Sequence, residues 1–186
     1  MRSDSTITIV GISGSLRSAS YNSGLLRAAA ALFPAQIRIA TIRGIPLYDA
    51  DIETQEGIPS AAQVLKDQIA AASGLLLVSP EYNNAIPGVM KNAVDWLTRP
   101  AEDIARVWGD KPVAVIGVSP GGFGTILAQN AWLSVLRTLR TRPYFGGRLM
   151  VSGARKLFDE QGELQDDETR ERLRKFLEGF IDFAAG

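Results

Sequence analysis

Histidine and cysteine are both absent from this chain of 186 residues. Without them the chain cannot carry a Ser-His-Asp triad, a cysteine nucleophile, or a zinc, haem or iron–sulfur centre held by His or Cys. We therefore expect a bound cofactor to supply the chemistry, with no catalytic side chain and no metal site. The lack of cysteine also fits a reducing compartment.

Net charge and long apolar runs are absent as well. Twenty Lys and Arg side chains balance twenty Asp and Glu, so the chain lacks the basic surface that nucleic-acid binding requires. The polar residues 1–6 precede no signal-peptide core, and no apolar run approaches membrane-spanning length. These features predict a cytoplasmic protein with no membrane span and no nucleic-acid partner.

Length and composition indicate a single domain. A chain of 186 residues, 46% of them apolar, can bury one sizeable core but not two. We expect residues 1–186 to form that domain, with a flexible tail at residues 1–5 and a flexible turn at residues 159–165.

Apolar segments rich in β-branched residues alternate along the chain with segments of helical period. Strands are predicted at residues 7–12, 36–42, 74–78, 113–118 and 148–151. Helices are predicted at residues 22–33, 60–72, 87–97 and 125–140, and from residue 166 onward. Strict alternation of this kind predicts an α/β fold, a doubly wound five-stranded parallel sheet with helices on both faces.

The predicted helix at residues 125–140 is apolar almost all the way round. Ile126, Leu127, Trp132, Leu133 and Leu136 cannot all face one sheet. A second apolar face needs a second partner, which indicates a subunit interface and a homodimer or homotetramer.

Three polar or glycine-rich loops follow the first, third and fourth predicted strands. The first loop is residues 11–22 (GISGSLRSASYN), the second is residues 79–84 (SPEYNN), and the glycine loop is residues 119–125 (SPGGFGT). Ligands of open α/β sheets bind beyond the carboxyl ends of the strands, where the strand order reverses. We therefore expect these loops to meet at one binding edge.

The first loop suits a phosphate monoester. Its candidate ligands are backbone N–H groups at the helix start together with the side chains of Ser13, Ser15, Arg17, Ser20 and Asn22. An ordinary strand-to-helix turn with Ser20 or Asn22 as the helix N-cap explains the same residues. The loop by itself favours neither interpretation.

Two other phosphate-binding motifs can be tested directly. The chain contains no G-x-x-x-x-G-K-[ST] motif, and no G-x-G-x-x-G follows the first strand. Arg43, after the second strand, could still meet the 2′-phosphate of NADP in a Rossmann domain. That alternative has little other support.

The second loop and the helix after it also have two interpretations. Backbone amides near Tyr82 and Asn83 could face the edge of a flat ligand, in a loop whose prolines restrict the backbone. For Lys91, Asp95 and Trp96 we favour structural roles, an ion pair one helical turn apart and a core side chain. In the glycine loop, Gly121, Gly122 and Gly124 allow close approach of the backbone to a ligand.

Taken together, these segments resemble the NADPH-dependent FMN reductases, and among them the bacterial chromate and quinone reductases. The matching segments are the first loop, residues 45–51 (IPLYDAD), residues 80–96 (PEYNNAIPGVMKNAVDW) and the glycine loop, in the expected order. The resemblance spans nearly the whole chain and implies a flavodoxin-like fold, bound FMN and a homo-oligomer. Pro120 and Phe123 depart from the pattern of the glycine loop.

The resemblance also implies roles for individual residues. The FMN phosphate would be held by the first loop, through Ser15, Arg17, Ser20 and Asn22. One edge of the isoalloxazine ring would be lined by Pro80, Glu81, Tyr82 and Asn83. Its other side would be lined by Ser119, Gly121 and Gly122.

The expected activity is transfer of hydride from NADPH or NADH to FMN, followed by transfer of electron pairs to a small acceptor. Candidate acceptors are quinones, free flavin, azo compounds and chromate. One alternative is a flavodoxin-type carrier that binds FMN without turning over NAD(P)H, although such carriers are typically acidic and this chain is neutral. The other is a non-catalytic nucleotide-binding module on the same scaffold.

Overall fold

A computed structural model describes residues 7–186. Six strands run parallel in it: β1 (Ile9–Ser13), β2 (Ile37–Ala40), β3 (Gly74–Val78), β4 (Pro112–Val118), β5 (Arg142–Pro143) and β6 (Met150–Val151). The sheet order is β2-β1-β3-β4-β5, and β6 also pairs with β4. The order reverses between β1 and β3, as the doubly wound prediction requires. The predicted tail at residues 1–5 lies outside the described residues.

The predicted fifth strand at residues 148–151 is corrected by the structure. Two short strands lie beside β4 in place of one. Strand β5 pairs with the start of β4, and β6 pairs with its end. Pro143 has no N–H to donate, and the adjacent glycines Gly146 and Gly147 interrupt the extended chain between the two short strands. Only Met150 and Val151 of the predicted segment are strand.

Within residues 7–186, seven α-helices connect and cover the strands. Five correspond to the predicted ones: α1 (Tyr21–Leu32), α3 (Ser60–Ala71), α4 (Gly88–Leu97), α6 (Ile126–Thr138) and α7 (Asp167–Ala185). Two short helices were not predicted, α2 (Ala50–Glu56) and α5 (Ile104–Trp108). No residue of α2 is buried, and α5 has five residues, so neither shows a helical repeat.

Each face of the sheet carries its own apolar layer. Leu76 and Val78 of β3 pack with α1 and α7, whereas Leu75 and Leu77 pack with α3, α4 and α6. All five residues of β3 are buried, as expected for a strand covered on both faces. Across residues 7–186, no helix is long and apolar enough to cross a bilayer.

The predicted flexible turn at residues 159–165 lies against the first loop. Asp159 Oδ1 accepts a hydrogen bond from Glu163 N at 2.8 Å, and Phe158 pairs with Leu164. Both of those apolar side chains are buried. A Cβ on Gly162 would meet the backbone of Ala19, so the turn flanks the loop at close range.

Candidate functional site

The first loop turns tightly as it leaves β1. Gly14 N donates to the Val78 carbonyl of β3 at 2.9 Å, and Ser15 N donates to Ser13 Oγ at 3.3 Å. Ser13 Oγ also lies 3.0 Å from Ser23 Oγ, while Ser15 Oγ accepts from Arg17 N at 3.4 Å. The serine hydroxyls therefore fold the loop back on itself.

Ser20 is the N-cap of α1, as one of the two interpretations predicted. Its Oγ accepts from Ser23 N at 3.4 Å, and the residue is almost fully buried. Its predicted contact with a phosphate stays a prediction.

Asn22 lies one residue inside α1 and reaches across to β4. Its Nδ2 donates to the Val118 carbonyl at 2.9 Å, and its Oδ1 accepts from Val118 N at 3.0 Å. Both polar atoms of the side chain therefore have backbone partners, which ties the start of α1 to the end of β4. A phosphate contact of Asn22 stays a prediction.

The open side of the first loop presents hydrogen-bond donors. No acceptor among residues 7–186 meets the backbone N–H groups of Ser18, Ala19, Tyr21 and Asn22. The exposed Arg17 guanidinium stands 5.3 Å from the centre of the Tyr21 ring. Unsatisfied N–H groups at a helix start, with an arginine beside them, form the donor set that a phosphate prefers.

Arg43, in the segment after β2, forms a hydrogen bond to the first loop. Its Nη2 donates to the Leu16 carbonyl at 2.7 Å. The sequence offered Arg43 as a partner for a nucleotide 2′-phosphate, and its position beside the first loop was not predicted. An arginine near a strand end was the only available signal, and it could not show the partner.

The second loop contains a tight two-residue turn. Tyr82 and Ala85 exchange backbone hydrogen bonds of 3.2 and 3.1 Å, and the central residues Asn83 and Asn84 have φ values of 51° and 61°. Asparagine tolerates this left-handed conformation better than most residues. The turn holds the Tyr82 ring half-exposed, with its hydroxyl 3.4 Å from Ser15 Oγ. This contact brings the first and second loops together.

Pro80 and Glu81 connect the second loop to its neighbours. A Cβ on Gly14 would clash with Pro80 and with Met90 of α4, so glycine is required where the two loops touch. The role of Gly14 was not predicted from the sequence. Glu81 Oε2 accepts hydrogen bonds from Leu127 N at 2.8 Å and from Ala128 N at 3.0 Å, so the carboxylate is anchored on α6.

The glycine loop begins with Ser119, whose hydroxyl organises it. Ser119 Oγ accepts from Gly124 N at 3.1 Å and lies 3.3 Å from the Gly121 carbonyl, to which it donates. A Cβ on Gly121 or Gly122 would meet nothing within 4 Å, and both residues are exposed. Packing within the chain therefore gives no reason for glycine at these two positions, and bare backbone there leaves room for a flat ligand.

The structural roles favoured for three residues of α4 are confirmed. Lys91 Nζ lies 2.7 Å from Asp95 Oδ1, one helical turn away. Trp96 is fully buried, and its Nε1 donates to the Pro46 carbonyl at 2.9 Å. Trp96 thereby holds Pro46 and the Tyr48 ring against α4.

Tyr48 belongs to a polar network that the sequence did not reveal. Its ring packs edge-on against Trp96, and its hydroxyl donates to Glu53 Oε2 at 2.9 Å, which raises the Tyr48 pKa. Hydrogen bonding from Arg99 lowers the pKa of Glu53. The network ties Glu53 of α2 to Arg99, just after the end of α4.

All twelve predicted site residues lie on the first, second or glycine loop or at the adjoining start of α1. Direct contacts join the first and second loops, and Glu81 joins the second loop to the helix that follows the glycine loop. The carboxyl edge of the sheet thus carries a phosphate-type donor set beside two walls of exposed backbone.

The sequence profile of the NADPH-dependent FMN reductases matches residues 7–156. The chain belongs to this family. The predicted resemblance is thereby confirmed, and membership of the family implies FMN as the cofactor and NAD(P)H as the hydride donor.

Individual relatives agree with this assignment. An NAD(P)H-dependent FMN reductase of Pseudomonas aeruginosa is 44% identical over 174 residues, covering 92% of each chain. A 2-hydroxy-1,4-benzoquinone reductase of a Burkholderia species is 37% identical over 176 residues, covering 94% of each. The solved structure of FerB, a flavoenzyme NAD(P)H:(acceptor) oxidoreductase of Paracoccus denitrificans, superposes with a TM-score of 0.84 at 31% identity, covering 96% of this chain and 97% of FerB. The fold of this FMN reductase family member is flavodoxin-like, as predicted.

Proposed function

We propose that this protein is an FMN-dependent NAD(P)H:quinone oxidoreductase that binds FMN across the first, second and glycine loops. The observation that carries the proposal is the convergence of three features at one edge of the sheet. They are the unsatisfied amides beside Arg17, the half-exposed Tyr82 turn, and the unfilled space at Gly121 and Gly122.

The residues present fit FMN in two parts. Ser15, Arg17 and the open N–H groups at the start of α1 would bind the phosphate dianion. The Tyr82 turn and the backbone at Gly121 and Gly122 would orient the ring. FMN supplies the group that accepts hydride from NAD(P)H and passes an electron pair to the acceptor. The protein contributes binding, orientation and hydrogen-bond donors, and it needs no side-chain base.

Quinones are the proposed acceptors. The Burkholderia relative is named as a benzoquinone reductase, and FerB is named as an oxidoreductase of an unspecified acceptor. An exposed ring beside Tyr82 would admit flat acceptors of this size. Free flavin, azo compounds and chromate are secondary candidates, to be compared with quinones under identical conditions.

An anaerobic titration tests the proposal. The purified protein, loaded with FMN, should lose its yellow colour when NADPH or NADH is added and recover it when a benzoquinone follows. Steady-state rates should give the parallel double-reciprocal lines of a ping-pong scheme. A protein that keeps its colour with both nicotinamides is a carrier instead. A protein that takes up no FMN at all is a non-catalytic module on this scaffold.

A homo-oligomer in the cytoplasm is part of the proposal. Ile126, Leu127 and Leu133 on the outer side of α6 are each more than 40% exposed. They border an apolar cavity of about 380 Å³ between α6 and residues 143–150. Exposed apolar surface of this kind favours contact with a second copy of the chain. Light scattering should therefore give the mass of a dimer or tetramer, and the mass of a monomer would refute this part.

A further inference from the structure

Helix α6 has no N-cap of its own. Thr125, at the cap position, is fully buried with a left-handed φ of 66°, and its side chain makes no capping hydrogen bond. Its Oγ1 instead accepts from Gln129 Nε2 at 3.1 Å. The first turn of α6 must therefore satisfy its N–H groups in another way.

The N–H groups of that turn can be accounted for one by one. Ile126 N donates to the Phe123 carbonyl at 3.2 Å, and Gln129 N donates to the Thr125 carbonyl at 2.9 Å. The two groups between them, Leu127 N and Ala128 N, both donate to Glu81 Oε2. A carboxylate at this position also interacts favourably with the positive end of the helix dipole. The cap of α6 is thus supplied from the second loop, 46 residues earlier in the chain.

Because Glu81 belongs to the second loop, this cap also links the two sides of the proposed ring site. Glu81 immediately precedes Tyr82, whose turn forms one wall of the proposed ring site. Leu127 follows the glycine loop, which forms the other wall. One carboxylate therefore joins the bases of both walls.

We propose that Glu81 is a positioning residue that sets the gap between the Tyr82 turn and the glycine loop, and that its carboxylate acts through α6 without touching the ring. The effect on FMN rests on the proposed function. The capping role rests only on the hydrogen bonds of this chain.

Two variants and a matched control test the proposal. Glu81→Ala removes both hydrogen bonds, whereas Glu81→Gln keeps an acceptor oxygen and loses only the charge. The control is Asp166→Ala, which removes the N-cap of α7, where Asp166 Oδ2 accepts from Thr169 N at 2.7 Å. Helix α7 packs with α1 on the opposite face of the sheet from α6, so losing this cap leaves the hydrogen bonds from α6 to Glu81 in place.

FMN affinity is the first measurement. Glu81→Ala should raise the Kd for FMN by roughly tenfold, the fold-change that corresponds to losing one helix cap. Glu81→Gln should raise it by less than about threefold, and Asp166→Ala should leave it unchanged. Both alanine variants should lower Tm. If Glu81→Ala binds FMN as tightly as Asp166→Ala does, Glu81 is only a stability residue and the proposal is wrong.

Amide hydrogen exchange on the FMN-free protein is the second measurement. In Glu81→Ala, exchange should become faster at Leu127 and Ala128 and, because the walls are joined, also at Tyr82 and Ala85. Faster exchange confined to α6 would show a cap that does not position the second loop. Unchanged exchange together with weak FMN binding would show direct contact with the ring. Either result overturns the proposal, and the exchange rates themselves can be read even if the wild type takes up no FMN and the proposed function fails.

Discussion

At the scale of single residues, the sequence identifies local partners and misses distant ones. Lys91 and Asp95 are one helical turn apart, so their ion pair follows from helix geometry alone. Asn22 and Val118 are 96 residues apart, and no local rule connects them. Asn22 was predicted to bind phosphate or to cap α1; Ser20 is the cap, the Asn22 amide joins α1 to β4, and its phosphate contact stays a prediction.

This arrangement makes Asn22 important for stability. Asn22→Ala should lower the free energy of unfolding by about 2 to 3 kcal/mol, because the buried N–H and carbonyl of Val118 both lose their partner. Urea unfolding measures the change. The control is Gln68→Ala on the exposed side of α3, for which we expect a change within about 0.5 kcal/mol. Equal effects of the two substitutions would contradict the role given to Asn22.

At the scale of elements, periodicity predicts long helices and strands and fails for short or interrupted ones. The five long helices each repeat apolar residues over at least ten positions. The exposed α2, the single turn of α5 and the divided fifth strand carry no such repeat. Their positions depend on packing, as when Tyr144, just after β5, meets the rings of Phe176, Phe180 and Phe183 on α7.

Packing between α1 and the turn at residues 159–165 gives an element-scale prediction. Gly24 lies inside α1, where alanine normally favours a helix by up to about 1 kcal/mol. A Cβ there would overlap the carbonyl oxygen of Gly162. The clash of the Cβ with backbone should outweigh the gain in helix propensity. Gly24→Ala should therefore destabilise the protein by about 2 kcal/mol.

Gly88→Ala is the control for this substitution. Gly88 begins α4, and a Cβ on it would meet nothing within 4 Å. Thermal unfolding should show an unchanged or slightly higher Tm for Gly88→Ala and a lower Tm for Gly24→Ala. If the two variants behave alike, α1 and the turn do not pack as described.

At the scale of the whole molecule, the alternation of segments predicts the sheet and the edge where ligands bind, because connections between parallel strands leave little choice of topology.

The burial of a charged lysine side chain could not be predicted in the same way. Lys66 of α3 is almost fully buried, with its Nζ 2.9 Å from Asp103 Oδ2 and 2.6 Å from the Arg99 carbonyl. Hydrogen bonds from Arg106 and then Lys66 lower the pKa of Asp103 to about 2. A lysine on a helix is normally a surface residue.

The balance of charge over the whole molecule also bears on cofactor binding. With no net charge, the chain exerts little long-range attraction on an anion. Attraction of the FMN phosphate must therefore come from donors placed at the phosphate itself. We propose that those donors lie on the first loop, a claim that can be tested separately from binding of the ring.

Comparison of FMN with riboflavin, which lacks the phosphate, tests that claim most directly. Binding of each ligand should be measured for the wild type, for the double variant Ser15→Ala/Arg17→Ala, and for the control Arg38→Ala on β2. We predict that the wild type and the control prefer FMN by a factor on the order of 100, the contribution of a few charge-assisted hydrogen bonds. The double variant should bind FMN weakly and lose most of this preference, keeping only the part that the backbone N–H groups at the start of α1 supply. A double variant that keeps the full preference for FMN would show that the phosphate is held elsewhere, and would contradict the assignment of the site.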